Sequence, residues 1–195
     1  VDTQFFTDYF NASTEHRKEH KCGGAPFDHG HFLTDLAADT QAKKVLEIGT
    51  AIGFSAYCFA SASPDLHVTT IDLQAEHGDL AHTWWNRAGV ESQITFHEGR
   101  DIDVLAELDD HYDIIFFDGF SPRPESVAHY LRLISPSGVV ITSNLYLPAE
   151  RDTTDEYLET LEVNDFVTYA FRDTAVSSLD MALAHSSFEL LRRQD

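Results

Sequence analysis

Six positions carry side chains or turns that could do chemistry together: Glu47, Gly49, Asp72, Asp101, Asp118 and Asn144. Each falls at or just after the end of a short apolar run. Carboxylates so placed can accept hydrogen bonds from sugar hydroxyls, face an ammonium or sulfonium, or take the proton of an acceptor hydroxyl. The run Val45-Leu46-Glu47-Ile48 leads into Gly49-Thr50-Ala51-Ile52-Gly53 and then Phe54-Ser55. A strand, a glycine turn and a helix form the first unit of a nucleotide-binding α/β sheet. A dinucleotide fingerprint needs G-x-G-x-x-G to seat a pyrophosphate on the helix N-terminus. Here Ala51 stands two residues after Gly49, and Glu47 would repel a diphosphate. An acidic strand end with a looser glycine turn suits S-adenosylmethionine, which carries a sulfonium and an amine but no phosphate. Asp72 follows Gly53 by 19 residues and ends the next strand. A carboxylate there can hold both hydroxyls of a ribose.

The elements that must position these groups can be read from periodicity and breakers. Residues 1–21 read as an amphipathic helix with Phe5, Phe6, Tyr9 and Phe10 on one side, broken at Cys22-Gly23-Gly24-Ala25-Pro26. A second helix is expected over Asp28 to Ala38. Strands are expected at Lys44–Ile48, His67–Ile71, Gln93–His97, Tyr112–Phe117 and Val139–Thr142. The intervening helices fall at Gly53–Ala62, Ala75–Ala88, Val104–Leu108 and Glu125–Ile134, the last closed by Pro136-Ser137-Gly138. A helix over Thr154–Leu161 and two final strands, near Phe166–Phe171 and Met181–His185, complete the reading. Alternation through residue 162 argues for a parallel sheet with helices on both faces. The link between the last two strands is too short for a helical crossover, so they should be antiparallel neighbours. In such a sheet, ligands bind beyond the carboxyl ends of the strands. That one rim would gather the six positions from five strands.

The motifs Val-Leu-Glu-Ile-Gly-Thr-Ala-Ile-Gly-Phe-Ser at 45–55, Thr-Thr-Ile-Asp at 69–72, Ala-Gly-Val-Glu-Ser-Gln-Ile-Thr-Phe-His-Glu-Gly at 88–99 and Tyr-Asp-Ile-Ile-Phe-Phe-Asp at 112–118 carry a resemblance. Over roughly residues 26 to 186 the chain resembles class I S-adenosylmethionine-dependent methyltransferases, and most the small O-methyltransferases of the catechol and caffeoyl-CoA type. The resemblance implies a Rossmann-like, doubly wound α/β sheet of seven strands, mostly parallel with an antiparallel last strand. It implies one domain, in which residues 1–40 cover the active site and 41–195 form the core. Glu47, Gly49, Thr50, Ala51 and Gly53 would line the methionine part of the cofactor, and Ser55 would bond its carboxylate. Asp72 would hold the ribose, Leu73 would pack on the adenine, and Arg100 and Asp101 would border the adenine edge. Asp118 would face the sulfonium and the acceptor, with Asn144 beside it and Tyr146 a further helper. Metal-dependent members bind Mg²⁺ through an Asp after strand four and an Asp-Asn pair after strand five. Asp118 and Asn144 match, but Ser143 replaces the middle carboxylate, and Ser121 stands where many members carry a Lys base. Loss of a charged oxygen donor weakens a hard-cation site, so no metal-ligand set is assigned here.

Composition sets the remaining expectations. The chain has 33 acidic residues against 13 basic, a formal charge of −20, and only four Lys. Such a surface repels phosphate backbones and anionic membranes, so the expected partner is a small-molecule methyl acceptor rather than nucleic acid or lipid. The acidity also fits a high-salt habitat. No run approaches the roughly 18 apolar residues of a membrane span, and Val1–Gln4 lacks a basic stretch with an apolar core behind it, so no secretion signal is read. Two cysteines, Cys22 and Cys58, give no disulfide framework and fit a cytoplasmic location. His16 and His20, with Cys22, His29 and His31 nearby, are metal-ligating types, but they match no tight zinc spacing and read as a solvated segment. His29 and His31 are also candidate bases. The aromatic N-terminal helix could cover a partner in a homodimer. The alternatives are a cofactor-binding homologue without catalysis, a methyltransferase for an amine or RNA base, an aminopropyl transferase, and a dehydrogenase, against which the missing fingerprint counts.

Overall fold

The computed structural model of the chain describes residues 2–20, 22, 27, 29–118, 124–142, 167–170 and 190–191. Helices α1 (Thr3–His20) and α2 (Gly30–Asp39) precede strand β1 (Lys44–Ile48). Then come α3 (Phe54–Ala60), β2 (His67–Asp72), α4 (Ala75–Ala88), a 3₁₀ turn at Glu91–Gln93, β3 (Ile94–Glu98), α5 (Asp101–Glu107) and β4 (Tyr112–Phe117). After α6 (Pro124–Leu133) follow β5 (Ile134–Thr142), β6 (Val167–Ala170) and β7 (Leu190–Leu191).

The strands form one sheet in the order β3-β2-β1-β4-β5-β6-β7. Every pairing is parallel except the last, where β6 meets β7 antiparallel. Six strands carry four residues or more, and β7 adds only the two-residue pairing of Leu190 and Leu191 with Tyr169 and Thr168. The antiparallel partner of β6 among the described residues is therefore Leu190–Leu191; the expected strand at Met181–His185 and the expected helix at Thr154–Leu161 lie outside them.

Period-2 alternation divides the strands between two cores. Val45, Val68, Ile114, Phe116, Val139 and Ile141 join Tyr9 of α1, Leu33 and Leu36 of α2, every residue of α3 but Ser55, and Ala81 and Trp85 of α4. Leu46, Ile48, Ile71, Ile115, Phe117 and Val140 face the other way, onto Leu105 of α5 and Tyr130 and Leu133 of α6. The sheet is thus covered on both faces, which is why β1 and β4 read as near-continuous apolar runs. Each fully buried large apolar side chain contributes about 1.5–3 kcal/mol.

Helix α5 opens at Asp101, three residues before the expected Val104, and the start of β5 departs from expectation as well. Pro136-Ser137-Gly138 was expected to close a helix, yet α6 ends at Leu133 and the chain enters β5 at once. Tyr112 pairs with Ile134 and Ile114 with Val139, so the register shifts between them. The Pro and Gly occupy this irregular stretch, where a missing N–H and a missing Cβ are tolerated.

The aromatic face of α1 packs on its own chain. Phe5 meets Tyr57 and Trp84, while Phe6 and Phe10 meet Phe54. Among the described residues no helix is long and apolar enough to cross a membrane.

Candidate cofactor and acceptor site

The strand order reverses direction between β1 and β4, so their carboxyl ends diverge into a crevice. Asp118 donates its N–H to the Ile48 carbonyl, and Gly49 donates its own to that of Ile71. These bonds carry the ladder one residue past the strand ends and fix where the glycine turn leaves the sheet. Gly49 has φ 104°, and a Cβ there would meet the Asp118 carbonyl oxygen at 2.9 Å. The two strand ends can approach this closely only because residue 49 is glycine.

The turn is held from three sides. Ala51 has φ 45°, a left-handed conformation unusual for a residue with a Cβ, and its N–H donates to Asp72 Oδ2 at 2.9 Å. Tyr9 of α1 donates its buried hydroxyl to the Ile52 carbonyl at 2.6 Å. Trp85 of α4 donates its indole N–H to the carbonyl of Gly53, the left-handed residue that opens α3.

Glu47 lies at the bottom of the crevice, fully buried. Thr70 donates to its Oε2. With Glu47 ionised, Thr70 spends its proton there, and Thr50 then donates to Thr70 across their 2.7 Å contact. The other carboxylate oxygen, Oε1, is buried and has no hydrogen bond of good geometry among the described residues, although the Ser55 hydroxyl lies near enough to pull on the carboxyl. Burial pushes the Glu47 carboxyl up to about 8, against the pull of the Ser55 and Thr70 hydroxyls, and the charges of Asp118 and Asp72 raise it further. A buried acid with such an under-bonded oxygen is stabilised by any cation that reaches it.

Asp72 ends β2 beside the turn. Its Oδ2 takes the Ala51 N–H, while its Oδ1 accepts from the Gln74 N–H at 3.0 Å and faces His77 Nδ1 at 2.9 Å. Burial would raise this carboxyl, but the bonds from His77, Gln74 and Ala51 outweigh it and hold it below the ordinary carboxylate range. An ionised carboxylate offers about four lone-pair sites, so three bonds leave capacity for a further hydroxyl. Leu73 next to it is 65% exposed, the large apolar side chain most open to solvent among the described residues.

Asp118 ends β4 on the opposite lip. Its Oδ2 pairs with Arg17 Nη2 of α1 at 3.2 Å. Asp101 opens α5 and accepts from the Ser126 hydroxyl of α6 at 3.0 Å. The guanidinium of Arg100 turns to Asp103 through two bonds of 2.7 and 2.9 Å at the surface. Glu47, Gly49, Thr50, Ala51, Gly53, Ser55, Asp72 and Asp118 thus gather around one crevice. Asn144, Ser121, Ser143 and Tyr146 lie outside the described residues. His31 is exposed and stacks on Phe6, with ring centroids 4.1 Å apart.

Three contributors were not anticipated: Tyr9, Arg17 and His77. The signal for the first lay in spacing, since Tyr9, Ser13 and His16 are the buried residues of α1 and follow the i, i+4, i+7 rule from an aromatic read as part of the helix's apolar side.

Of the Mg²⁺ ligand positions that the resemblance implies, Asp118 is the one among the described residues, and its Oδ2 accepts from a guanidinium. A hard divalent cation wants several oxygen donors, and Asp118 by itself does not supply them.

Comparison with known proteins bears on the fold and the family. The sequence pattern of the O-methyltransferase family matches residues 4–169. A catechol O-methyltransferase of Niastella koreensis is 34% identical over 60% of this chain and 55% of its own length. One of Mycobacterium tuberculosis is 33% identical over 65% of this chain and 60% of its own. The chain therefore spans a little over half the length of these curated relatives. The solved O-methyltransferase TomG of Streptomyces achromogenes, involved in tomaymycin synthesis and in complex with SAM, is 28% identical. It superposes with a TM-score of 0.68 over 78% of this chain and 76% of that one. With the family pattern covering most of its residues, the chain belongs to the O-methyltransferase family.

Proposed function

We propose that the chain binds S-adenosylmethionine in the β1–β4 crevice and transfers its methyl group to a hydroxyl of a small-molecule acceptor. The observation that carries this reading is the buried Glu47 Oε1, without a hydrogen bond of good geometry among the described residues, below a glycine turn that lacks the pyrophosphate fingerprint. That oxygen asks for a cation, and the ligand of this fold that brings one without phosphate is the adenosyl sulfonium with its ammonium. Asp72 has capacity for a ribose hydroxyl, and exposed Leu73 offers the apolar surface on which an adenine would pack. The relatives named as catechol O-methyltransferases, and the SAM-bound TomG, support the same cofactor and a hydroxyl acceptor.

When bound, S-adenosylmethionine supplies an electrophilic methyl on a positively charged sulfur. The residues around it have the remaining tasks. Glu47, Thr50, Ala51 and Ser55 hold the amino-acid end, and Asp72 and Leu73 hold the nucleoside. Alignment of nucleophile, methyl and sulfur supplies most of the acceleration in an in-line displacement. Asp118 orients the acceptor hydroxyl and takes its proton, a task in which Asn144 is assigned to assist. Helix α1 covers this crevice, with Tyr9 and Arg17 as its points of contact.

The test is calorimetric titration of S-adenosylmethionine into the chain and into an Asp72→Ala variant, followed by turnover with catechol read by mass spectrometry. Binding to the native chain, at least tenfold weaker in the variant, is expected. Absence of binding to both sinks the reading. Binding without turnover on any hydroxyl acceptor would favour a non-catalytic homologue, a reading that the Arg17–Asp118 pair motivates.

A further inference from the structure

The end of α1, residue 22 and the first turn of α4 converge on a cluster that touches the cofactor site only through the His77–Asp72 contact. His16, Cys22 and His77 each offer one potential ligand atom, and these atoms all lie within 4.8 Å of one another. Cys22 Sγ is 3.5 Å from His77 Nε2 and 3.8 Å from His16 Nε2. Both histidines are buried and Cys22 is half-buried.

These separations have a chemical reading. In a tetrahedral zinc site, Zn–S is about 2.3 Å and Zn–N about 2.0–2.1 Å, which puts sulfur and nitrogen about 3.6 Å apart across the edge. The two observed S···N distances bracket that value. Hydrogen bonding alone can satisfy the cluster in one way, with His16 Nε2–H donating to Sγ and the thiol donating to His77 Nε2, both bonds weak because sulfur is a poor partner. The carboxylate of Asp72 accepts the Nδ1–H of His77 at 2.9 Å, which leaves the lone pair of a neutral His77 on Nε2, aimed at Cys22. A carboxylate behind the far nitrogen of a histidine is the usual outer support of a metal ligand: it fixes the tautomer and the ring orientation.

We propose that His16, Cys22 and His77 are three ligands of a site for a borderline or soft divalent transition-metal ion, Zn²⁺ first, backed by Asp72. One thiolate and two imidazoles suit zinc and not magnesium or calcium, which take oxygen donors. The fourth position is left to water or to another ligand. The site is separate from the hard-cation position at Asp118, and it ties α1 to the β2–α4 connection whether or not the cofactor reading holds.

The experiment is titration of the chelator-treated chain with Co²⁺, which takes zinc's place and absorbs light, followed by Zn²⁺ in competition. A thiolate-to-cobalt charge-transfer band that saturates at one ion per chain and is bleached by Zn²⁺ is expected. Cys22→Ser should abolish the band, Cys58→Ser should keep it, and Asp72→Asn should weaken Co²⁺ binding by about 10–100-fold. Absence of the band at saturating Co²⁺, or its survival in Cys22→Ser, overturns the proposal. If Cys22→Ser fails to fold, the alkylation rate of Cys22 in the native chain decides. Slowing by Zn²⁺ supports the site, and an unchanged rate overturns it.

Discussion

Arg17 Nη2 lies 3.2 Å from Asp118 Oδ2, with the two side chains only 11% and 2% exposed. Residues 101 positions apart are joined here across α1 and the end of β4. A pair this secluded is screened little by solvent or salt. A double-mutant cycle with Arg17→Gln and Asp118→Asn, read by urea unfolding, should give a coupling energy above the roughly 1 kcal/mol limit of exposed pairs. A coupling near zero would mean that the contact does not hold α1 in place.

Glu47 gives a pH dependence of defined sign. Its carboxyl titrates at about 8 in the fold against an ordinary 4.5. Between those values the folded chain keeps a proton that the unfolded chain has released. The stability from this group is therefore complete below about pH 4.5 and is lost as pH rises through about 8. Urea midpoints of the native chain should fall from about pH 5 to about pH 8.5 relative to Glu47→Gln, whose neutral amide mimics the protonated acid. Parallel curves for the two proteins would contradict the assignment.

The same residue should couple cofactor binding to proton release. An ammonium or sulfonium beside Glu47 favours the carboxylate over the acid. Near neutral pH, S-adenosylmethionine should expel a proton on binding. The apparent heat should then differ between phosphate and Tris buffers in proportion to their ionisation enthalpies. Glu47→Gln should bind more weakly and with buffer-independent heat.

Gly49 and Gly89 form a matched pair. Both have positive φ, 104° and 74°, but a Cβ at 49 would meet the Asp118 carbonyl at 2.9 Å, while one at 89 would meet nothing within 4 Å. Gly89→Ala should cost about 1–2 kcal/mol, the left-handed penalty alone. Gly49→Ala should cost clearly more, because the β1 and β4 ends must also part. Equal losses in chemical denaturation would show that the close approach is relaxed without strain.

The frame of this chain is written locally, and much of its site is not. β1, β4 and α4 have the bounds expected from apolar runs, breakers and the αL glycine after Ala88. Glu47, Asp72 and Asp118 meet because a parallel sheet delivers strand ends to one rim, a rule that needs no knowledge of side-chain packing. Arg17, Tyr9 and His77 were missed because their roles exist only once α1 is laid on α3 and α4. A charged run at the end of an amphipathic helix reads as solvated until the other side of the contact is known. His16 and Cys22 were noticed as ligand types, but their third companion, His77, stands 55 positions beyond Cys22, where spacing carries no signal. The start of β5 was misread because Pro136 and Gly138 look like a turn, and only the pairing with β4 marks them as an irregular stretch of strand.

The Arg17 contact also changes what an acceptor's affinity would measure. Asp118 already holds a cation from its own chain, so any molecule that uses this carboxylate enters as a competitor. The rival is tethered: α1 is fastened two turns earlier, where Tyr9 grips the Ile52 carbonyl, so the guanidinium acts at an effective concentration of roughly millimolar or above. An acceptor's apparent dissociation constant is then its intrinsic value divided by the fraction of chains in which Arg17 has let go. Selectivity among hydroxyl acceptors would accordingly rank them by their power to displace a guanidinium as much as by their fit to the pocket walls.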